Sequence, residues 1–146
     1  MTRETPQAPI SNLQPRPFSV TLLMLGVLMI SGIHLLRFIQ TIRQWEFLRE
    51  LLSIPPLYLA ATGLFWGSVG LILAWGLWRG RRWAPALTIL AALAYSLYYW
   101  LDRLLLSGAR PGTNWPFATA ANAALLFLSA WIFTRRRAKA FFQGNR

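Results

Sequence analysis

Residues 55–78, PPLYLAATGLFWGSVGLILAWGLW, decide the fold of this chain. The stretch carries no charged residue, and its length exceeds the roughly 20 residues that a helix needs to cross a bilayer. Small residues recur within it three or four positions apart, within an arc of roughly 80° on one helix face. In lipid, helices associate through close backbone approach over small residues. The pattern therefore predicts a helix-packing face formed by Ala60, Gly63, Gly67, Gly70 and Ala74.

The composition of the whole chain is typical of a membrane protein. Hydrophobic residues make up 55% of the 146 residues and charged residues only 13%, whereas average globular proteins have about 25% charged residues. Three further apolar segments have spanning length. We therefore predict an all-α, polytopic integral membrane protein with one domain, a four-transmembrane-helix bundle. The spans are expected at about residues 18–39, 55–78, 85–106 and 117–134.

The segments outside the spans are interpreted from their charges and helix breakers. Residues 1–17 hold four prolines among polar residues and predict a flexible N-terminal tail. Residues 40–54 indicate an interfacial helix or an extension of the first span, stopped by the proline pair at 55–56. The first apolar run exceeds the about 7–15 residues of a signal-peptide core, so we interpret it as a retained anchor helix. Residues 135–146 form a basic C-terminal tail, and its Phe141–Phe142 pair is expected to dip into the headgroup region.

The distribution of charge predicts the orientation in the membrane. Four spans put both termini on one side, where ten of the 15 basic residues fall, while three of the four acidic residues fall on the other side. The positive-inside rule then places both termini in the cytoplasm, with the protein in the cell membrane. The net charge of +11 does not indicate nucleic-acid binding, because the basic residues flank apolar runs instead of forming one soluble face.

Basic residues on the cytoplasmic side are candidate contacts for anionic lipid headgroups. A role as topology determinants explains them equally well. The candidates are Arg79, Arg81, Arg82, Arg135, Arg136 and Arg137.

Polar residues within the spans converge on the outer half of the predicted bundle, judged from the rise of 1.5 Å per residue. We expect Asp102 to pair with Arg37, and His34 or Tyr98 to complete the hydrogen bonds. Such a set either locks helices together or forms a pocket that handles a ligand or protons. The residues of this predicted polar cluster are His34, Arg37, Tyr98, Asp102 and Asn122.

The sequence offers little support for catalysis. The absence of cysteine excludes disulfides and thiolate metal sites. One histidine and one acid within the spans are too few for a general acid–base pair or a metal site of three or four ligands. No glycine-rich phosphate loop is present. We therefore expect no enzyme activity, no metal and no cofactor.

Two functional hypotheses follow. The first is an accessory or scaffold subunit that packs against a membrane-protein partner or against copies of itself. The alternative is a small transporter or a binder of lipid or apolar ligands that uses the polar cluster. The orientation of the small-residue face distinguishes them, because an outward face marks a partner helix and an inward face makes residues 55–78 a wall beside the cluster.

Overall fold

The computed structural model describes residues 16–51, 54–106 and 115–144, so the predicted N-terminal tail lies almost entirely outside the described residues. Every regular element within these ranges is helical. Asp102–Leu106 forms a π-helical turn that directly continues α4. The helices are α1 (Phe18–Arg43), α2 (Trp45–Leu51), α3 (Pro56–Trp78), α4 (Ala84–Leu101), α5 (Trp115–Thr134) and α6 (Arg136–Gly144).

Four of the helical segments are long and apolar enough to cross a membrane. They are Phe18–Arg43, Pro56–Trp78, Ala84–Leu104 and Pro116–Thr134. The first continues beyond the predicted residue 39, because residues 40–43 contain no proline or glycine to end the helix. Gln44 leaves helical geometry with φ −110° and ψ 29°, and this turn separates α1 from the short helix α2. The first helix is therefore extended as far as Arg43 and a separate short helix follows it, while an interfacial position for α2 stays a prediction.

Proline and glycine set the ends of α3 and α4. Pro55 and Pro56 start α3, and Pro85 occupies the first turn of α4, where its missing N–H removes no helical hydrogen bond. Gly80 ends α3 with a φ of 63°, a left-handed conformation that glycine adopts without a Cβ clash. The Arg81 amide then donates to the carbonyl of Gly76, which closes the turn between the two helices.

The closest helix pair is α1 against α3, and the small residues of α3 form the contact. Ala60, Gly63, Gly67, Gly70 and Ala74 are all buried. A Cβ atom placed on Gly63 would lie 3.0 Å from a backbone carbonyl of α1, so the two backbones are almost in contact. The remaining close pairs between spans are α3 with α4, α4 with α5, and α1 with α5. The small-residue face therefore points inward, toward α1.

A hydrophobic core gathers the start of α1, the end of α3, the start of α4 and the end of α5 with α6. We call this the basic end, because the arginines at positions 79, 81, 82 and 135–137 surround it, and we call the other end of the helices the far end. The predicted basic tail forms helix α6 here. Phe142 is only 5% exposed and packs on Phe133, with ring centroids 5.9 Å apart, so it turns into the core instead of toward headgroups.

Candidate functional site

A buried hydrogen bond joins α1 and α3 where they are closest. Ser31 Oγ on α1 donates to the backbone carbonyl of Gly67, with an O···O distance of 2.6 Å, and Ser31 is fully buried. The lack of side chains at Gly67 and Gly70 gives the hydroxyl this access. Helices α1 and α3 thus form one wall of a central cavity.

A central cavity of about 80 Å³ lies between α1, α3, α4 and α5. Most of its lining is aliphatic or aromatic. Its serine and threonine hydroxyls bond to helix carbonyls: Ser31 to Gly67, Thr88 to Ala84 and Ser129 to Leu125, at 2.6–2.7 Å. Because these hydroxyls are satisfied within the protein, the cavity presents a mainly apolar surface, to which His34, Tyr95 and Trp66 add polar atoms.

His34 is a polar group of the cavity whose side chain is incompletely hydrogen-bonded. Its side chain is 7% exposed, and its Nε2 lies 3.3 Å from the hydroxyl of Tyr95 on α4. Its Nδ1 has no hydrogen-bond partner among the described residues. Tyr95 in turn packs edge-on against Trp66 of α3, with centroids 5.0 Å apart, and Tyr98 lies 5.6 Å from the same indole. An aromatic cluster therefore adjoins the cavity.

Asp102 accepts a hydrogen bond from a side chain of α3. The Tyr58 hydroxyl, near the start of α3, donates to Asp102 Oδ1 with an O···O distance of 2.7 Å. The sequence predicts Arg37 as the partner of Asp102, whereas this hydrogen bond comes from Tyr58 on α3; α4 packs mainly against α3 and α5. Arg37 is half-buried on α1, and its backbone carbonyl accepts a hydrogen bond from Thr41. The Tyr58–Asp102 bond ties the start of α3 to the end of α4 at the far end.

A lateral groove of about 440 Å³ opens between α1, α4 and α5 toward the far end. Its polar groups include Asn122 on α5 and, on the α4 side, Tyr99 and Arg103, whose Nη1 donates to the Tyr99 hydroxyl at 2.9 Å. Asn122 Oδ1 is buried and has no hydrogen-bond partner in the described part of the chain. The groove adjoins the central cavity, since the two share the lining residues Ile30, Tyr95 and Leu125.

The predicted polar cluster is therefore divided among three places. His34 lines the central cavity, Asn122 lines the lateral groove, and Asp102 belongs to the contact with Tyr58. Tyr98 lies in the aromatic cluster, beside Trp66 and Tyr95. The residues that sequence reasoning left out of the cluster are Tyr58, Trp66, Tyr95, Tyr99 and Arg103.

The candidate lipid contacts at the basic end are not equivalent. The guanidinium groups of Arg79 and Arg81 lie over the ring of Trp75, 5.5 Å from its centroid, and that of Arg135 lies 3.8 Å from the centroid of Trp131. Arg136 and Arg137 are exposed on α6. Arg82 lines a pocket of about 490 Å³, which we call the basic pocket; its lining is Arg82, Pro85, Phe133, Lys139, Phe142 and Gln143.

Within the described ranges, no three or more histidine, cysteine, aspartate or glutamate residues are grouped as a metal site would require. No protein-family model, curated protein or solved structure matches this chain. Its function must therefore be inferred from its own geometry.

Proposed function

We propose that this chain is a non-enzymatic integral membrane protein that binds an amphipathic, mainly apolar ligand, such as a lipid, in the lateral groove. The observation that carries the proposal is the arrangement of that groove. Asn122, Tyr99 and Arg103 supply polar groups, whereas Phe117, Leu125 and the adjoining central cavity offer apolar surface. A ligand with a polar head and an apolar body matches this division.

The size of the groove supports the proposal. Ligand sites in proteins commonly occupy about 300–1,000 Å³, and the groove measures about 440 Å³. The central cavity, at about 80 Å³, is too small to be such a site alone. It can, however, extend the apolar part of the groove past Ile30 and Tyr95, which line both spaces.

The buried side-chain carbonyl of Asn122 is the hydrogen-bond acceptor at the polar end of the groove. A buried polar atom without a hydrogen bond costs about 1–3 kcal/mol, and Asn122 Oδ1 is such an atom in the described structure. A hydroxyl or amide donor on the ligand would supply the missing bond. The guanidinium of Arg103, on the opposite side of the groove, favours a head that also carries an acceptor oxygen.

The membrane setting rests on the four apolar helices and the distribution of charge. In the proposed arrangement the helices form a four-helix bundle in the cell membrane, with both termini and the basic end in the cytoplasm. Exposed tryptophans at positions 75, 78, 83 and 131 lie around the basic end, as expected at a membrane–water boundary. The lateral groove then opens to lipid in the outer half of the bilayer.

The scaffold hypothesis has less structural support than the ligand-binding hypothesis. Its candidate partner surface was the small-residue face of α3, and Gly63, Gly67 and Gly70 are covered by α1 of the same chain. An inward small-residue face makes α3 a wall beside the cavity, and Gly70 itself lines that cavity. Association with a partner protein or with a second copy stays a prediction without an identified surface.

Filling the groove is expected to remove the ligand. In the Ala121→Leu variant the larger side chain would occupy the groove, so we expect at least about a tenfold drop in retained ligand, the factor that corresponds to 1.4 kcal/mol. The measurement is mass spectrometry of lipids and small molecules extracted from protein purified in a mild, neutral detergent. Ala123→Leu is the matched control, because Ala123 is exposed on the same helix and does not line the groove.

Equal ligand content in the Ala121→Leu and Ala123→Leu proteins would refute binding in the groove. Reproducible recovery of one protein partner, without enriched lipid or metabolite, would favour the scaffold hypothesis instead.

Asn122→Leu separates a binding role from a structural one. We expect this variant to lose ligand yet to unfold no more readily than the wild type, because Asn122 Oδ1 makes no hydrogen bond to the described protein.

A further inference from the structure

We infer that the basic pocket is a second binding site, and that its ligand is a phosphate group. The pocket lies at the opposite end of the helices from the lateral groove and shares no lining residue with it. The inference therefore does not depend on the function proposed for the groove.

Two structural elements bring donors to the basic pocket. Arg82 comes from the turn between α3 and α4, while Lys139 and Gln143 come from α6. Lys139 and Gln143 are four residues apart, so they lie on the same side of that helix. All three side chains are exposed, whereas Phe133 and Phe142 form a buried floor. The pocket thus presents two cations and an amide above an apolar base.

The start of α4 adds to the positive potential. Pro85, in the first turn of this 18-residue helix, lines the pocket, and no side chain caps the helix start. The N-terminal end of a helix carries a partial positive charge, which favours an anion. Arginine and lysine beside such a helix start are the donors that phosphate oxygens commonly bind.

No carboxylate of the neighbouring elements competes for these cations. The sequence contains no acidic residue between Glu50 and Asp102 and none after Asp102, so α3, α4, α5, α6 and the α3–α4 turn contribute only Asp102. Asp102 lies at the far end, bonded to Tyr58. Among the described residues, an anion in the basic pocket would therefore have no neighbouring carboxylate to repel it.

The other arginines of this end are arranged differently. Those at positions 79, 81 and 135 lie over tryptophan rings. Arg82 is the member of the six predicted lipid contacts that lines the pocket, and Lys139, which was not among the six, faces it from α6. The phosphate site is thus a defined pair of cations within a basic surface. The phosphate can belong to a lipid headgroup or to a soluble molecule, and both carry the same recognised group.

Removing the two cations is expected to abolish selective phosphate binding. The probe is phosphatidic acid, titrated onto the full-length protein in neutral detergent and followed by native mass spectrometry. Each basic residue near an anionic lipid is worth about 1 kcal/mol, or about fivefold in affinity, so R82Q/K139Q should bind about 25-fold more weakly. The control R81Q/R136Q changes the net charge equally at exposed positions outside the pocket and should lose much less.

Equal losses in R82Q/K139Q and R81Q/R136Q would overturn the site and leave only general attraction to a basic surface. If inorganic phosphate displaces phosphatidic acid from the wild type, the site takes soluble phosphate; if it does not, the lipid headgroup is the ligand.

The thermal unfolding transition of each variant shows whether folding is retained. R82Q alone, which alters no helix, provides the test if the double variant unfolds. Ala121→Leu should leave this binding unchanged, which separates the site from the groove.

Discussion

Gly70→Ala is expected to destabilise the protein by about 1–3 kcal/mol, the usual cost of forcing extra volume into a packed interface. The new Cβ atom would lie 2.7 Å from Cβ of Ser31, closer than two such atoms can approach. Helices α1 and α3 would have to separate, and the 2.6 Å hydrogen bond from Ser31 to the Gly67 carbonyl would lengthen. Intrinsic helix propensity, which favours alanine over glycine by about 1 kcal/mol, opposes this loss but does not remove the clash.

The free energy of unfolding for this comparison can be measured by denaturing-detergent titration in mixed micelles, with tryptophan fluorescence as the signal. Gly26→Ala is the matched control, because a Cβ atom at Gly26 on α1 meets nothing within 4 Å. We expect that variant to be as stable as the wild type or more stable. A Gly70→Ala protein as stable as the Gly26→Ala protein would show that α1 does not cover this face of α3.

Tyr58 and Asp102 are expected to show a coupling energy of about 1.5–3 kcal/mol in a double-mutant cycle, since hydrogen bonds to charged groups contribute about that much. The single changes are Tyr58→Phe, which removes the donor, and Asp102→Ala, which removes the acceptor of the 2.7 Å bond. Each should destabilise the protein, but Tyr58→Phe should cost much less once Asp102 is absent. Unfolding of the four proteins in mixed micelles provides the four free energies.

A parallel cycle with Arg37→Ala and Asp102→Ala tests the partner that the sequence predicted. Because Tyr58 supplies the observed hydrogen bond, the losses from Arg37→Ala and Asp102→Ala should add. Additive losses for Tyr58 together with coupled losses for Arg37 would reverse this assignment and restore the predicted ion pair.

The number and positions of the apolar helices could be predicted from the sequence because the thickness of a bilayer fixes the length of a span. Periodicity also places the small residues of α3 on one face. It does not say which helix covers that face, because a face defined within one helix carries no information about its neighbour. The contact between Gly63 and the backbone of His34 therefore required the structure.

The partner of Asp102 could not be predicted from the sequence for a similar reason. The rise per residue gives the depth of each polar group in a span, but two groups at one depth can still lie on opposite sides of the helices. Arg37 is expected at the same depth as Asp102, whereas Tyr58 is at that depth and also faces Asp102. A usable signal was present, because Tyr58 is close to the start of α3 and Asp102 follows the end of α4, and those ends meet in an antiparallel pair.

Helix α6 was missed because its charge received more weight than its periodicity. Residues 135–139 are mostly basic, which suggested a solvated tail. Ala138 and Phe142 are nevertheless four residues apart and share a helix face. Both are buried against the core of the basic end. The floor of the basic pocket is thus formed by a segment whose hydrophobic spacing could be recognised in the sequence.

The close contact between α1 and α3 also has a consequence for the order of assembly. These two helices follow each other closely in the chain, with α2 between them, so they can pair before α4 and α5 have been synthesised. Their seam needs nothing from α4 or α5, since Ser31, Gly63, Gly67 and Gly70 meet entirely within the pair. Helices α1 and α3 can therefore form a complete packed pair before the later helices are added. The lateral groove, whose lining combines Ile30 of α1 with residues of α4 and α5, forms only when those later helices pack against the pair.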